Sequence, residues 1–167
     1  MVDEQTVTEL VIEKLRRGGT VSYVVRTGSM APLVRPGDHI VIAPAPPQFR
    51  PGELAFRPAA PHPVVHRVLA QQTQDAVSWL RTKGDATPHA DPLQPAAGFA
   101  GVVCCITHNG RTLAPGSIPG RFLGGIVARL SSWQAWCVGS RFVRRTWRLA
   151  LHGAIHLIDC TLWWFAR

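Results

Sequence analysis

The chain has 167 residues, 46% of them hydrophobic and 17% charged, which supports one compact domain and excludes a disordered or coiled-coil protein. The net charge of +8 is uneven: residues 1–98 carry ten basic and nine acidic side chains, whereas residues 99–167 carry eight Arg and one acid. Five of the six Trp lie in the same C-terminal part. Arg together with Trp is typical of a segment at an anionic membrane surface, so we expect a membrane rather than nucleic acid as its partner.

Residues 1–19 are predicted to be an N-terminal helical segment, in which the helix itself covers residues 6–17. Apolar side chains recur there at helical spacing, at Val7, Leu10, Val11 and Leu15. Thr6 and Glu9 fit a capping box at the start, and Gly18 with Gly19 ends the helix. The first 20 residues carry four acids and no long apolar run. We therefore expect no secretory signal in them.

Residues 20–108 are predicted to be a mainly β domain, because short β-type runs alternate with Pro- and Gly-containing turns. The runs are residues 21–25, 39–42, 53–56, 64–69, 77–81 and 100–106. This pattern favours a small antiparallel β-barrel or a sandwich. Within it, the Pro-rich residues 44–63 are interpreted as a loop or insertion.

Residues 109–125 are rich in Gly and Pro and are predicted to be a linker, followed by a basic, Trp-rich helical tail over residues 126–167. Polar side chains recur in the tail every three or four residues, at Arg141, Arg144, Arg145, Arg148, His152, His156 and Asp159. Residues 149–166 are barely long enough to cross a bilayer, and their His and Asp side chains would be costly at its centre. We expect this amphipathic segment to lie in the membrane interface; packing against a partner protein is the alternative.

Four residues provide the inventory of an acyl-transfer site: Ser29, His66, Asp85 and Asp91. The Ser lies in the turn Thr27-Gly28-Ser29-Met30-Ala31-Pro32, the His in a β-type run, and the two Asp near the end of another. A Ser hydroxyl needs a base to become a good nucleophile, and an imidazole, which titrates near neutral pH, can serve as one. The simpler alternatives are that Ser29 is a turn residue and that His66 is an ordinary strand residue.

Four motifs in this order, G-S-M-x-P, P-G-D, V-H-R-V and T-K-G-D-A, resemble the signal peptidase I family of serine peptidases. The resemblance covers residues 22–106 and is closest to the endoplasmic-reticulum, archaeal and SipW-like branch, which uses a His where most bacterial enzymes use a Lys. It implies the small β-barrel domain of that family, a serine endopeptidase activity on a precursor or leader peptide, and no cofactor.

The resemblance also implies roles for individual residues. Ser29 would attack the scissile carbonyl, and His66 would accept its proton. Asp91 matches the catalytic carboxylate of this branch better than Asp85, which matches a Gly-Asp pair that shapes the site; which of the two supports His66 stays open. The Ser29 N–H and the Thr27 hydroxyl would stabilise the oxyanion. The remaining residues that would shape the turn are Gly28, Met30 and Pro32.

The chain departs from the family pattern in three ways. A short helix stands where the family has a membrane-spanning helix, Leu33 replaces a frequent Thr, and Ala86-Thr87 follow Gly-Asp where Asn is common. We therefore expect a peptidase of a prokaryotic cell that associates with the membrane from the cytoplasmic side and cleaves a dedicated substrate.

Two other functions and two metal sites fit parts of the sequence. A non-catalytic module could keep the fold and dock through its C-terminal helix. A relative of the self-cleaving repressor peptidases, which share the fold, is disfavoured because no Lys aligns with their base. Two sets of side chains could suggest a metal, namely His62, His89 and Asp91, and His152, His156 and Asp159. Irregular spacing argues against the first, and a polar helix stripe explains the second more simply, so no metal is predicted.

Overall fold

A computed structural model describes residues 4–59, 62–137, 150, 153–155, 157–158, 160–161 and 163. In chain order its elements are α1 (Glu4–Arg16), β1 (Val21–Val24), β2 (His39–Pro44), β3 (Leu54–Arg57), β4 (Val64–Gln74), β5 (Val77–Lys83), β6 (Gln94–Pro95), β7 (Gly101–His108), β8 (Arg111–Leu113) and α2 (Ile118–Cys137). The fold is mainly β, as the alternation of short apolar runs and turns predicts. All six predicted strands are present, with ends shifted by a few residues.

The strands form one antiparallel sheet in the order β1-β2-β7-β3-β4-β5-β6, with β8 paired to β7. The sheet is curled into a half-barrel, with β1 and β6 at its two edges. The short strands β6 and β8 were not predicted from the sequence. Each offers only two or three residues, too few for a periodic pattern to be visible.

Helix α1 is present as predicted, but the capping box at its start is wrong. The helix begins at Glu4, so Thr6 lies inside its first turn rather than at the cap position. The end is as expected: Gly18 adopts a φ of +81°, and its N–H donates to the carbonyl of Leu15 at 3.0 Å. Leu15 is buried in the main core, so α1 is attached to the sheet at its C-terminal end.

The main core lies on one face of the sheet and includes part of the loop between β1 and β2. Alternation along β2 turns Ile40 and Ile42 into this core. Three residues of the loop, Met30, Leu33 and Val34, are buried in the same cluster. Because they follow directly after Ser29, the segment that carries the candidate nucleophile is held by core packing.

The structure differs from the sequence prediction at the linker. Residues 109–125 contain β8 and the first residues of α2, which packs against β4. Gly124 of this helix lies against Gly52, where an added Cβ would stand 2.4 Å from the Gly124 carbonyl carbon. Part of the glycine content that suggested a linker therefore permits a close contact between the helix and a turn.

Among the described residues of the C-terminal tail, Trp163 packs against the main core of the β domain. Ile155 is fully buried, and the indole N–H of Trp163 donates to the carbonyl of Leu33 at 3.0 Å. The polar stripe expected from Arg141 to Asp159 lies outside the described residues. Within the described ranges, no helix combines the length and apolar character that crossing a bilayer requires.

Candidate active site

The structure joins His66 to Asp91. Strand β4 carries His66, and its Nδ1 lies 2.6 Å from Oδ2 of Asp91. The pair is partly buried, and 25 residues of chain separate its members. The sequence left open whether Asp85 or Asp91 supports His66; in the structure, Asp91 contacts the imidazole.

Asp91 lies outside the strands but is held by the end of β5. Its N–H donates to the carbonyl of Thr82 at 2.8 Å, and the Thr82 hydroxyl donates to its Oδ2 at 2.6 Å. Thr82 was not predicted as a site residue. Its place in the T-K-G-D motif was the available signal, but the motif did not reveal that its hydroxyl orients the carboxylate.

The environment of Asp91 keeps it ionised. Burial acts to raise its pKa, but hydrogen bonds from His66 and Thr82, with the positive charges of His66 and Arg57, outweigh burial and lower the pKa below 3.8. A carboxylate only accepts hydrogen bonds, so Nδ1 of His66 carries the proton of this contact. In the neutral imidazole, Nε2 is then the free base.

Ser29 lies beside this base on the loop between β1 and β2. The loop is fastened to the segment after β5, because the Ala86 N–H donates to the Ser29 carbonyl at 2.9 Å. An added Cβ at Gly84 would stand 2.7 Å from the Ser29 carbonyl oxygen and 3.1 Å from Nε2 of His66. Ser29 and His66 therefore border the same point in space.

The described residues show no hydrogen bond between the Ser29 hydroxyl and Nε2 of His66. Catalytic hydrogen bonds are often long in a free enzyme and tighten when substrate binds. The Ser29 N–H donates to no other backbone group of the described residues, so it is available to an oxyanion.

Gly84 lies where the Ser29 loop and strand β4 approach each other closely. A Cβ at Gly28 would meet no described atom within 4 Å, whereas one at Gly84 would overlap the Ser29 backbone. The glycine of T-K-G-D needs to lack a side chain, because the Ser29 carbonyl and the His66 ring converge on it.

Asp85 contacts Arg67 instead of His66. The Arg67 guanidinium donates from Nε to Oδ1 at 2.8 Å and from Nη2 to Oδ2 at 2.5 Å, and its Nη1 donates to the Gly52 carbonyl at 3.1 Å. The side chains of Arg67 and Asp85 are 2% and 0% exposed. Neighbours on a strand point to opposite faces, so His66 reaches one carboxylate and Arg67 the other.

Ser29 lines a small cleft with a volume of about 30 Å³. Of the predicted site-shaping residues, Thr27 and Met30 line it, and Met30 also packs in the core. The other lining residues are largely apolar and include Tyr23, Val25, Val34, Ile40 and Val65. Pro32 is buried behind the nucleophile and follows a cis peptide bond. This lining suits small apolar groups.

Within the described part of the chain, no three His, Cys, Asp or Glu side chains come together in a way that could hold a metal ion. His62, His89 and Asp91 do not assemble; Asp91 is engaged by His66 and Thr82. The second set considered from the sequence, at positions 152, 156 and 159, lies outside the described residues.

Comparisons with protein-family models, curated proteins and solved structures give no match for this chain. The resemblance to signal peptidase I therefore rests on the four motifs.

Proposed function

We propose that this protein is a serine endopeptidase of the signal peptidase I type, which cleaves a precursor or leader peptide through Ser29, His66 and Asp91. The observation that carries the proposal is the arrangement of the imidazole. Its Nδ1 is bound to Asp91, and its Nε2 faces the Gly84 backbone, which the Ser29 carbonyl also borders. This arrangement supports a catalytic unit in which Asp91 orients His66 and His66 acts as the base for Ser29.

In the proposed reaction, Nε2 of His66 accepts the Ser29 hydroxyl proton while Oγ attacks the scissile carbonyl carbon. The Ser29 N–H stabilises the oxyanion, and the Thr27 hydroxyl, which lies in the same cleft, is the second candidate donor. The imidazolium then gives its proton to the leaving amine, which leaves an acyl-enzyme. Water, deprotonated by His66, hydrolyses the ester and restores Ser29.

The first test compares wild type with Ser29→Ala and His66→Ala on a peptide that contains an Ala-x-Ala site, presented in detergent or lipid. Ser22→Ala and His39→Ala are matched controls, because both residues are exposed on strands β1 and β2. We expect cleavage by wild type and controls, and a loss of at least about a hundredfold in both site variants.

A dedicated enzyme can ignore a generic peptide, so labelling by an acylating penem-type probe is measured in parallel. Labelling of wild type that disappears in Ser29→Ala supports an activated serine. Absence of both cleavage and Ser29 labelling would overturn the proposal and favour the binding module.

We also propose that the basic C-terminal part binds an anionic membrane surface. The excess of eight Arg over one acid in residues 99–167 carries this proposal. The test is flotation with phosphatidylglycerol-containing vesicles at two salt concentrations, beside a DNA-shift assay. Binding to anionic vesicles that weakens with salt supports it; binding to DNA alone would contradict it.

A further inference from the structure

A second, larger cavity lies beside the Ser29 cleft. Its volume is about 210 Å³, and it lies between helix α1, the sheet and the segment around residue 62. The lining residues are mostly apolar: Val7, Thr8, Val11, Val21, Tyr23, Arg26, Ile42, Phe56, Pro58, His62 and Pro63. This is far larger than the voids left by ordinary packing, and the apolar lining suits a single bulky apolar side chain rather than a whole small-molecule ligand.

The two cavities adjoin along four shared lining residues, Tyr23, Arg26, His62 and Pro63. A polypeptide that places its scissile bond at Ser29 therefore has a neighbouring apolar space within reach of the same chain. No second ligand is needed to explain the larger cavity, because the peptide in the cleft can extend into it.

Helix α1 makes one wall of the cavity, through Val7, Thr8 and Val11. This wall is fixed to the domain, since Leu15 is buried in the core and Val11 packs against it. Apolar surface continues outside: the Val7 side chain is 48% exposed and Leu10 is 62% exposed. Exposed apolar surface around a cavity indicates a place where another apolar group docks.

Arg26 adds a charge at the junction of the two cavities. It is exposed, lines both of them, and forms no ion pair with any residue in the described ranges. Among the lining residues of either cavity, it is the one with a permanent charge. An acidic group that passes from one cavity to the other would meet this guanidinium.

We infer that the cavity beside α1 is an accessory subsite that binds a bulky apolar residue of the substrate, and that Arg26 favours an acidic residue between it and the scissile bond. The inference rests on the proposed function. It defines the substrate class as a precursor with a large apolar side chain and a neighbouring acid close to its cleavage site.

The first test measures peptide binding without catalysis, in the Ser29→Ala protein. The probes are fluorescent Ala-x-Ala peptides in which one Phe is moved along the chain, compared with the same peptides carrying Gly. Val11→Trp fills the cavity; Arg16→Trp is the matched control, because Arg16 is exposed on α1 and lines neither cavity. We expect one Phe position to improve binding about tenfold, and Val11→Trp alone to abolish the gain.

The second test reverses the charge at the junction. In Arg26→Glu, the preference for a peptide with Glu over one with Lys beside the Phe should invert, with a change of about two- to fivefold in each direction. Arg81→Glu is the control, because Arg81 is exposed on β5 and lines neither cavity. Circular dichroism of every variant verifies that the domain is folded.

The outcomes separate this inference from the proposed function. Ser29-dependent cleavage with no Phe position that depends on Val11 would overturn the subsite and leave the peptidase intact. Val11-dependent peptide binding with no Ser29-dependent cleavage would support the subsite and overturn the peptidase. If Arg26→Glu leaves the preference for the Glu peptide over the Lys peptide unchanged, the proposed requirement for an acidic residue in the substrate is wrong.

Discussion

The indole N–H of Trp163 donates to the carbonyl of Leu33 at 3.0 Å across 130 residues of sequence. Leu33 lies four residues after Ser29 on the same loop. The Trp163 ring also contacts His108 at a centroid distance of 5.5 Å, and Nδ1 of His108 lies 2.5 Å from Oδ1 of Asp38, where the loop joins β2. The C-terminal tail thus contacts the loop that carries Ser29 directly at Leu33, and indirectly at Asp38 through His108.

Trp163→Phe should weaken this attachment, because it keeps an aromatic ring but removes the N–H. Loss of one hydrogen bond predicts a decrease of about 0.5–1.5 kcal/mol in the free energy of unfolding, measured by urea denaturation. If the contact also positions Ser29, kcat should fall while KM is unchanged. Leu157→Ala, at a residue that is 68% exposed, should change neither quantity. An unaltered kcat in Trp163→Phe would limit the contact to stability.

Asp91→Asn should remove activity without unfolding the domain. The amide cannot hold Nδ1–H of His66 in the same way, so the imidazole loses its tautomer and the charge that stabilises its protonated form. We expect kcat to fall by roughly 10²–10⁴-fold with a small change in Tm. Steady-state kinetics with the peptide of the first test measures this. Retention of wild-type kcat would exclude Asp91 from the catalytic unit.

The lowered pKa of Asp91 predicts a specific dependence of stability on pH. Because the pKa is below 3.8 in the folded state, this group stabilises the fold fully above its unfolded value. That contribution is lost as the pH falls through the folded value. The stability difference between wild type and Asp91→Asn should therefore shrink on acidification from about pH 6 to about pH 3. Urea unfolding at each pH measures it, and a difference that grows at low pH would contradict the assignment.

In contrast to Asp91→Asn, replacing Asp85 should mainly lower the stability of the fold, because its partner Arg67 is buried with it. Asp85→Asn leaves a guanidinium charge in the interior without its carboxylate, and should cost about 3–5 kcal/mol of stability. The double variant Arg67→Met with Asp85→Leu should be less destabilised than Asp85→Asn alone. Thermal denaturation compares the three proteins. A mild Asp85→Asn and an unstable double variant would show that the pair is not the stabilising unit described here.

Two glycines of the motifs should respond differently to alanine. Gly84→Ala introduces a Cβ against the Ser29 carbonyl and Nε2 of His66, and neither backbone nor ring can move without disturbing the site. A loss of activity of about a hundredfold is expected. A Cβ at Gly28 would meet no described atom within 4 Å, so Gly28→Ala should keep most of the activity. Equal losses in the two variants would mean that Gly28 has a role the structure does not explain.

Much of the fold was accessible from the sequence because β1–β5 and β7 combine apolar runs with strong turn formers. The boundary of α1 was misjudged because its first turn is polar and resembles a cap. The linker prediction was wrong because a glycine such as Gly124 usually indicates a break in secondary structure. In the folded protein, Gly124 lies within α2 and allows the helix to approach Gly52. Local propensity could not anticipate a requirement set by a partner 72 positions away.

The candidate site was only partly accessible for a similar reason. Motif order identifies Ser29 and His66, but the choice between Asp85 and Asp91 depends on which face of β4 each carboxylate reaches. Thr82 was overlooked because its contribution is one hydroxyl aimed at a residue in a later loop. These relationships depend on strand register, which a single sequence does not state.

The adjacency of His66 and Arg67 on β4 links the candidate chemistry to the integrity of the fold. A slip of this strand by one position would turn the imidazole away from Asp91 and also take the guanidinium away from Asp85. An insertion or deletion here would therefore produce an unfolded chain rather than a folded but inactive one. Substitution of a single side chain in the site is the simpler route by which a descendant could lose the proposed activity and keep the domain as a binding protein.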